Sequence, residues 1–119
     1  EDALLDMQVE QTEGYALCRP VGELDAFTVS QFRQTLAELA STPRLLIDMS
    51  AVPFLDSAGL GALIGGVRRA RELGGDVAVA CNRTTLLRLL RTSGFDRIVT
   101  VVDTVEEAAA ALQQPTEAT

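Results

Sequence analysis

The chain has 119 residues, of which 47% are hydrophobic and 4% aromatic, and its net charge is -7. This length suits a single domain. No stretch approaches the ~18 consecutive apolar residues of a membrane-spanning helix, so we expect no membrane insertion. The acidic N-terminus does not resemble a signal peptide, and we therefore expect a cytoplasmic protein.

The chain contains no histidine and no lysine, because all ten of its basic residues are arginine. Catalysis by histidine, serine–histidine triads and histidine metal sites are therefore excluded, as are lysine-dependent phosphate loops and Schiff bases. The net negative charge is the wrong sign for neutralising phosphates. We expect a protein that is not an enzyme, holds no metal or cofactor and makes no direct contact with nucleic acid.

The first predicted elements are two short strands, at residues 4–10 and 15–21, separated by a loop of hairpin length. Pro20 lies in the second strand and cannot donate a hydrogen bond to a sheet. We therefore expect that strand to bulge or end at Pro20.

The first predicted helix spans residues 28–40. Thr28 with Gln31 has the spacing of a capping box, in which each side chain bonds the backbone of the other residue. Phe27 and Phe32 flank this cap at the positions of a hydrophobic staple. The pattern predicts that both phenylalanines pack together across the start of the helix.

The rest of the chain alternates apolar runs with helical patterns. A glycine pair, a threonine cap, a left-handed glycine and a second capping box set the ends of these helices. The predicted elements are strand 45–49, helix 58–73 ended by Gly74-Gly75, strand 77–81, helix 85–92 capped by Thr84 or Thr85 and ended by Gly94, strand 98–102, and a helix opened by the Thr104–Glu107 capping box and running to about Leu112.

This order predicts an α/β fold with a mainly parallel central sheet, an antiparallel hairpin at its N-terminal edge and about four helices. Residues 4–112 are expected to form one domain, and residues 113–119 a flexible C-terminal tail. Cys18 and Cys81 each lie in an apolar run, which is typical of buried thiols in a reduced cytoplasm. A redox role for either thiol stays open.

The most informative segment is the start of the helix that follows Asp56. Ser57 stands where an N-cap residue is expected, near the positive end of the helix dipole. One interpretation is that Ser57 merely caps the helix. The other is that its hydroxyl accepts a phosphate, because no histidine or lysine in the chain could activate Ser57 as a nucleophile.

One face of this helix carries only small residues. Interior glycines cost about 1 kcal/mol each relative to alanine, so three of them need a reason. The small face could receive a partner protein, or it could pack inside the same domain. Its members are Ala58, Gly61, Ala62, Gly65 and Gly66.

Three short motifs in the chain resemble those of STAS-domain anti-sigma factor antagonists, and the similarity extends from about residue 5 to 112. They are Gly22-Glu23-Leu24-Asp25, Asp56-Ser57-Ala58-Gly59-Leu60-Gly61 and Ser93-Gly94-Phe95. The resemblance implies that Ser57 is phosphorylated by an anti-sigma factor that is itself an ATP-dependent serine kinase. It also implies that the unphosphorylated protein binds this kinase and frees a sigma factor. Many relatives carry a second serine where this sequence has Ala58, so Ser57 is left as the single acceptor.

The resemblance also implies that Gly22 to Asp25 lie beside the helix start and contribute to partner contact. Asp25 and Asp56 are expected to form an acidic rim around Ser57, unless they only cap or solvate loops. We expect a monomer or a weak dimer. The expected partner-binding residues are Gly22, Glu23, Leu24, Asp25, Asp56, Ala58, Gly59, Gly61, Ala62 and Gly65.

One other function is a serious alternative within the same fold, and two more are disfavoured. STAS-like proteins also serve as accessory subunits of lipid or anion transport systems, in which no kinase acts on the helix. A metal-dependent phosphatase built on Asp25, Asp48 and Asp56 is disfavoured, because Asp48 lies within an apolar strand and no general base is evident. A phosphoacceptor receiver domain is disfavoured because it needs a lysine.

Overall fold

The computed structural model describes residues 5–113. Residue 4, where we expected the first strand to begin, and residues 114–119 of the expected tail lie outside the described residues, while Gln113 ends the last helix. In chain order the elements are β1 (Asp6–Gln11), β2 (Ala16–Val21), α1 (Val29–Glu38), β3 (Arg44–Asp48), α2 (Ser57–Glu72), β4 (Asp76–Ala80), α3 (Thr84–Thr92), a 3-10 turn (Phe95–Arg97), β5 (Thr100–Val102) and α4 (Val105–Gln113).

The five strands form one sheet in which neighbours in the chain are neighbours in space. β1 pairs with β2 in antiparallel fashion, and every later pair is parallel. Because a parallel connection must cross over the sheet, a helix lies between each pair of parallel strands. This arrangement confirms the α/β fold with a mainly parallel sheet and an antiparallel N-terminal edge.

The helices cover the two faces of the sheet unequally. α1 packs against α2, and both lie with α3 over one large apolar cluster, whose fully buried side chains include Phe32, Leu63 and Leu90. On the other face α4 alone contacts β3, β4 and β5, over a smaller cluster that includes Leu46 and Leu112. β3 and β4 are covered on both faces, which explains their nearly continuous apolar sequences.

Pro20 neither ends nor bulges β2, so that expectation was wrong. The register of β1 with β2 runs without a break from Asp6 opposite Val21 to Gln11 opposite Ala16, with Met7 opposite Pro20. On its other side β2 pairs with β3 only from Ala16 to Cys18. Pro20 therefore lies beyond the stretch in which β2 pairs with β3.

At the start of α1 the expected N-cap residue is confirmed, but the expected capping box and hydrophobic staple were wrong. Thr28 is the N-cap residue, but its side chain makes no capping bond and instead donates to the carbonyl of Glu23 at 2.8 Å. Gln31 reaches back to the carbonyl of Leu5 at 3.1 Å, which ties α1 to the edge of the sheet. Phe32 is buried while Phe27 is 89% exposed, so no hydrophobic staple forms.

The predictions for the other helix ends were correct in part. In the capping box of α4, the N–H of Glu107 donates to Thr104 Oγ1 at 3.0 Å and Glu107 Oε1 accepts from the N–H of Thr104 at 3.3 Å, which confirms the prediction. Gly94 has φ = 81°, as a left-handed terminator requires. α3 begins one residue earlier than expected, and its N-cap is Arg83 rather than a threonine.

Candidate functional site

The β2–α1 loop lies directly against the segment that leads into α2. The N–H of Leu24 donates to the carbonyl of Phe54 at 2.9 Å, and the N–H of Asp56 donates to the carbonyl of Leu24 at 3.1 Å. Leu24 and Leu55 thereby form an isolated parallel bridge outside the main sheet. The start of α2 and the Gly22–Asp25 segment are consequently neighbours, which is the arrangement that the resemblance implied.

Asp56, and not Ser57, is the N-cap of α2, so this part of the prediction was wrong. Asp56 has an extended backbone, and its Oδ1 accepts from the N–H of Gly59 at 3.0 Å. Ser57 is the first residue of the helix, and its side chain is exposed. Within residues 5–113 no hydrogen bond occupies the Ser57 hydroxyl or the N–H groups of Ser57 and Ala58. The Ser57 hydroxyl therefore does not cap the helix.

The Asp25 side chain stabilises the start of α1. Its Oδ1 accepts from the N–H of Phe27 at 2.9 Å and from the N–H of Thr28 at 3.2 Å, which holds the turn that opens α1. Both Asp25 and Asp56 thus stabilise the start of a helix, as the simpler interpretation held. They remain half-buried carboxylates on adjoining segments, and no arginine occurs within residues 20–32 or 45–67. Glu23, Asp25 and Asp56 therefore make these two segments acidic, and Arg83 reaches the second of them, where its Nε donates to the carbonyl of Ser50 at 3.0 Å.

The small-residue face of α2 divides into an open part and a packed part. A Cβ on Gly61 or Gly65 would meet nothing within 4 Å, so these positions face open space. A Cβ on Gly66 would lie 2.5 Å from Leu36 Cδ1, and one on Gly59 would lie 2.7 Å from the carbonyl oxygen of Leu24. Packing inside the domain is therefore confirmed for Gly66, while binding of a partner at Gly61 and Gly65 stays a prediction.

A groove of about 230 Å³ runs between α1 and α2 over the open part of this face. Its floor is made of small residues, and an arginine stands on each helix at its margin. The lining residues are Arg33, Leu36 and Ala37 from α1, and Gly61, Ala62, Gly65, Gly66 and Arg69 from α2.

Three of the expected partner-binding residues are buried in the free protein. Leu24 is fully buried, Ala62 is 4% exposed at the floor of the groove, and Gly59 packs against the β2–α1 loop. Their role in direct contact with a partner stays a prediction. The residues that remain accessible are Gly22, Glu23, Asp25, Asp56, Ala58, Gly61 and Gly65.

Two exposed aromatic residues on the segments that lead into α1 and α2 were missed as site candidates. Phe27 is 89% exposed in the β2–α1 loop, and Phe54 is 48% exposed just before Asp56. Phe54 could have been found from the sequence, because it precedes the buried Leu55 in an extended segment, where side chains alternate between faces. Phe27 could not, because its spacing to Phe32 imitates a staple.

The described residues offer no site for a metal ion. Among residues 5–113, no group of three or more histidine, cysteine, aspartate or glutamate side chains is arranged to hold one. Asp48 is buried and engaged elsewhere: its Oδ2 lies 3.3 Å from Arg19 Nε, and its Oδ1 accepts from the N–H of Ser50 at 3.0 Å. In the same part of the chain, no helix is both long and apolar enough to cross a bilayer.

A family model described as the STAS domain matches residues 6–108 of the chain. The chain belongs to the STAS domain family. An anti-sigma F factor antagonist of Paenibacillus polymyxa is 28% identical to this STAS domain over 112 residues, which cover 92% of this chain and 96% of that protein. The crystal structure of an anti-sigma factor antagonist from Mycobacterium paratuberculosis has a TM-score of 0.80 and 28% identity, and the match covers 92% of this chain and 95% of that one.

A further solved structure, of the Bacillus cell fate determinant SpoIIAA in its phosphorylated form, has a TM-score of 0.70 and 23% identity. That match covers 91% of this chain and all of the other. At this identity the likeness shows a common fold. The relatives at 28% identity are named as antagonists of anti-sigma factors, which are regulatory proteins.

Proposed function

We propose that this STAS domain is a cytoplasmic anti-sigma factor antagonist controlled by phosphorylation of Ser57. In its unphosphorylated form it binds an anti-sigma factor that is an ATP-dependent serine kinase, and this binding frees a sigma factor for transcription. The observation that carries the proposal is the exposed Ser57 side chain at the first position of α2, with its hydroxyl unused by the helix cap.

In the proposed reaction Ser57 is the substrate and the partner is the catalyst. The serine oxygen attacks the γ-phosphorus of ATP, the bond to the β-phosphate oxygen breaks, and ADP leaves. The hydroxyl proton goes to a base of the kinase, because this chain has no histidine or lysine to accept it. Our proposal is therefore that the domain is regulatory and not enzymatic.

The phosphate would act locally through charge. It adds about -1.5 to -2 charges, and the unpaired N–H groups at the start of α2 favour an anion at this position. The modification therefore need not disturb the fold. The phosphate also stands beside the carboxylate of Asp56. A partner surface that fits against the neutral hydroxyl would have to remove water from this phosphate, which costs binding free energy. We expect kinase affinity to fall by about 100-fold on phosphorylation.

The proposed contact surface joins the two acidic segments to the open face of α2. Gly61 and Gly65 carry no side chain, so the backbone of a partner can approach the helix closely. The set comprises Gly22, Glu23, Asp25, Asp56, Ala58, Gly61 and Gly65, all of which are at least partly accessible.

The decisive experiment is incubation of the chain with a candidate anti-sigma factor kinase from the same genome, with ATP and Mg²⁺, followed by intact mass measurement. Wild-type chain should gain one phosphate, Ser57→Ala should gain none, and Ser30→Ala, which removes another exposed hydroxyl, should gain one as the wild type does. Ser57→Ala should still bind the kinase. An unchanged mass of the wild-type chain under these conditions would contradict the switch and favour the accessory-subunit function in lipid or anion transport.

A further inference from the structure

Two large apolar side chains are exposed on the segments that lead into α1 and into α2, the helix that begins with Ser57. Among residues 5–113, four large hydrophobic residues are exposed, and two of them are Phe27 and Phe54. These two belong to the two segments joined by the Leu24–Leu55 bridge, directly before α1 and α2. We call Phe27 and Phe54 the aromatic pair.

The exposure of Phe27 does not come from a loose loop. Its N–H is held by Asp25 Oδ1 at 2.9 Å, and the carbonyl of Asp25 accepts from the N–H groups of Thr28 and Val29. The buried Thr28 hydroxyl donates to the carbonyl of Glu23 at 2.8 Å and accepts from the N–H of Asp25 at 3.1 Å. The turn is thus fixed from both sides, which holds the backbone of Phe27 in place. A partner that covers the ring therefore has to order the Phe27 side chain but not the loop that carries it.

Charge around the aromatic pair selects the partner that fits. Glu23, Asp25 and Asp56 lie on the same two segments, which contain no arginine of their own, and Arg83 bonds to the second of them at the carbonyl of Ser50. The complement of this surface is an apolar pocket with a basic margin. A second copy of this chain would bring like charges together in a symmetric contact. An anionic membrane surface is repelled for the same reason.

We propose that Phe27, supported by Phe54, is the apolar anchor of the contact with the kinase, and that it occupies a pocket of the kinase bordered by basic side chains. The inference rests on the proposed function, since it concerns the same partner. It adds a residue that no motif indicated, and it separates two tasks at this end of the molecule. Ser57 carries the switch, and Phe27 carries a large part of the affinity.

The test measures kinase binding by calorimetry for wild type, Phe27→Ala, Phe27→Tyr and Phe54→Ala. Phe27→Ala should weaken binding about 30-fold, the equivalent of burying one phenylalanine ring. Phe27→Tyr keeps the ring and should stay within about 3-fold of wild type. Phe54→Ala should lose about 5-fold, since half of its surface is already covered in the free protein.

Leu73→Ala is the matched control. Leu73 is 52% exposed at the far end of α2, which is about 24 Å from Ser57 for a helix of 16 residues. The Leu73→Ala variant should bind the kinase with the affinity of wild type. Phe27→Ala should melt within about 2 °C of wild type, because an exposed ring contributes little to folding. In steady-state phosphorylation it should raise KM and leave kcat unchanged, since it takes no part in the chemical step.

The outcomes separate the two proposals. Failure of wild-type chain to bind the kinase would overturn the proposed function and this inference with it. If wild-type chain and Phe27→Ala bind the kinase with equal affinity, only the inference is overturned. A wild-type dimer in sedimentation that Phe27→Ala dissociates would assign the anchor to a second copy, and retention on phosphatidylcholine vesicles that Phe27→Ala abolishes would assign it to a membrane. Either result would also overturn the inference.

Discussion

Leu36 on α1 fills the space beside Gly66 on α2 so closely that a Cβ on this glycine would lie 2.5 Å from Leu36 Cδ1 and 3.2 Å from its Cβ. The preceding residue, Gly65, would carry a Cβ into open space. The two adjacent glycines therefore stand in different environments and need different explanations. Gly66 allows α1 and α2 to approach each other, whereas nothing inside the described fold requires Gly65.

This contrast predicts opposite effects on stability. Gly65→Ala should raise the free energy of unfolding by about 0.5–1 kcal/mol, because alanine favours the helix and meets no neighbour. Gly66→Ala should lower it by about 1–2 kcal/mol, because the overpacking against Leu36 exceeds the gain in helix propensity. Urea denaturation of both variants checks this prediction, and equal effects would contradict the packing of α1 on α2.

If Gly65 is kept for a partner, a long side chain at this position should block the partner. Gly65→Arg should fold normally, since its Cβ meets nothing within 4 Å, yet lose most of its affinity for the kinase. The new guanidinium would enter the groove already flanked by Arg33 and Arg69. Thr92→Arg adds the same charge on an exposed position of α3 and serves as the control. Unchanged binding of Gly65→Arg would remove this face from the contact surface.

The framework of the fold could be predicted from the sequence because burial patterns are periodic. β3 and β4 each have four consecutive buried residues, and their apolar runs indicated a sheet covered on both faces. The capping box of Thr104 and Glu107 was equally readable, since both partners lie within one turn of the chain. Local chemistry and local spacing were sufficient for these features.

The details of the candidate site depend on contacts between distant residues. Thr28 and Gln31 have the spacing of a capping box, yet Gln31 bonds the carbonyl of Leu5, which is 26 residues away in the chain. Asp56 and Ser57 are both suitable caps for α2, and the hydrogen bond from Asp56 N–H to the Leu24 carbonyl anchors Asp56 just before the helix. No periodicity in one sequence encodes which of two suitable neighbours is chosen.

The identity of the cap can be tested by a matched pair of variants. Asp56→Ala should lower the free energy of unfolding by about 1 kcal/mol, because the N–H of Gly59 loses its acceptor. Asp56→Ser, which keeps a capping oxygen, should recover most of that loss. Ser57→Ala should change stability by less than about 0.5 kcal/mol, since its exposed hydroxyl makes no bond in the described part of the chain. A larger loss for Ser57→Ala than for Asp56→Ala would show that Ser57 is the cap after all.

Alkaline pH should destabilise the protein through its two buried thiols. Burial raises the pKa of Cys18 from 9.0 to about 12, and burial likewise raises the pKa of Cys81. The folded chain therefore holds these protons more tightly than the unfolded chain, which releases them as the pH rises through 9. Stability should be unaffected by the thiols below pH 9 and should fall from there to about pH 12, by at most about 1.4 kcal/mol per pH unit for each thiol.

The thiol effect can be isolated because the chain has no lysine and only one tyrosine, so few other side chains ionise in this window. Denaturation curves of wild type and Cys18→Ala between pH 8 and pH 11 give the two slopes to compare. The alanine variant starts from a lower stability, because it leaves a small cavity within β2, but its loss per pH unit should be smaller. Parallel slopes would show that Cys18 does not account for the alkaline loss, and Cys81→Ala would then test the remaining thiol.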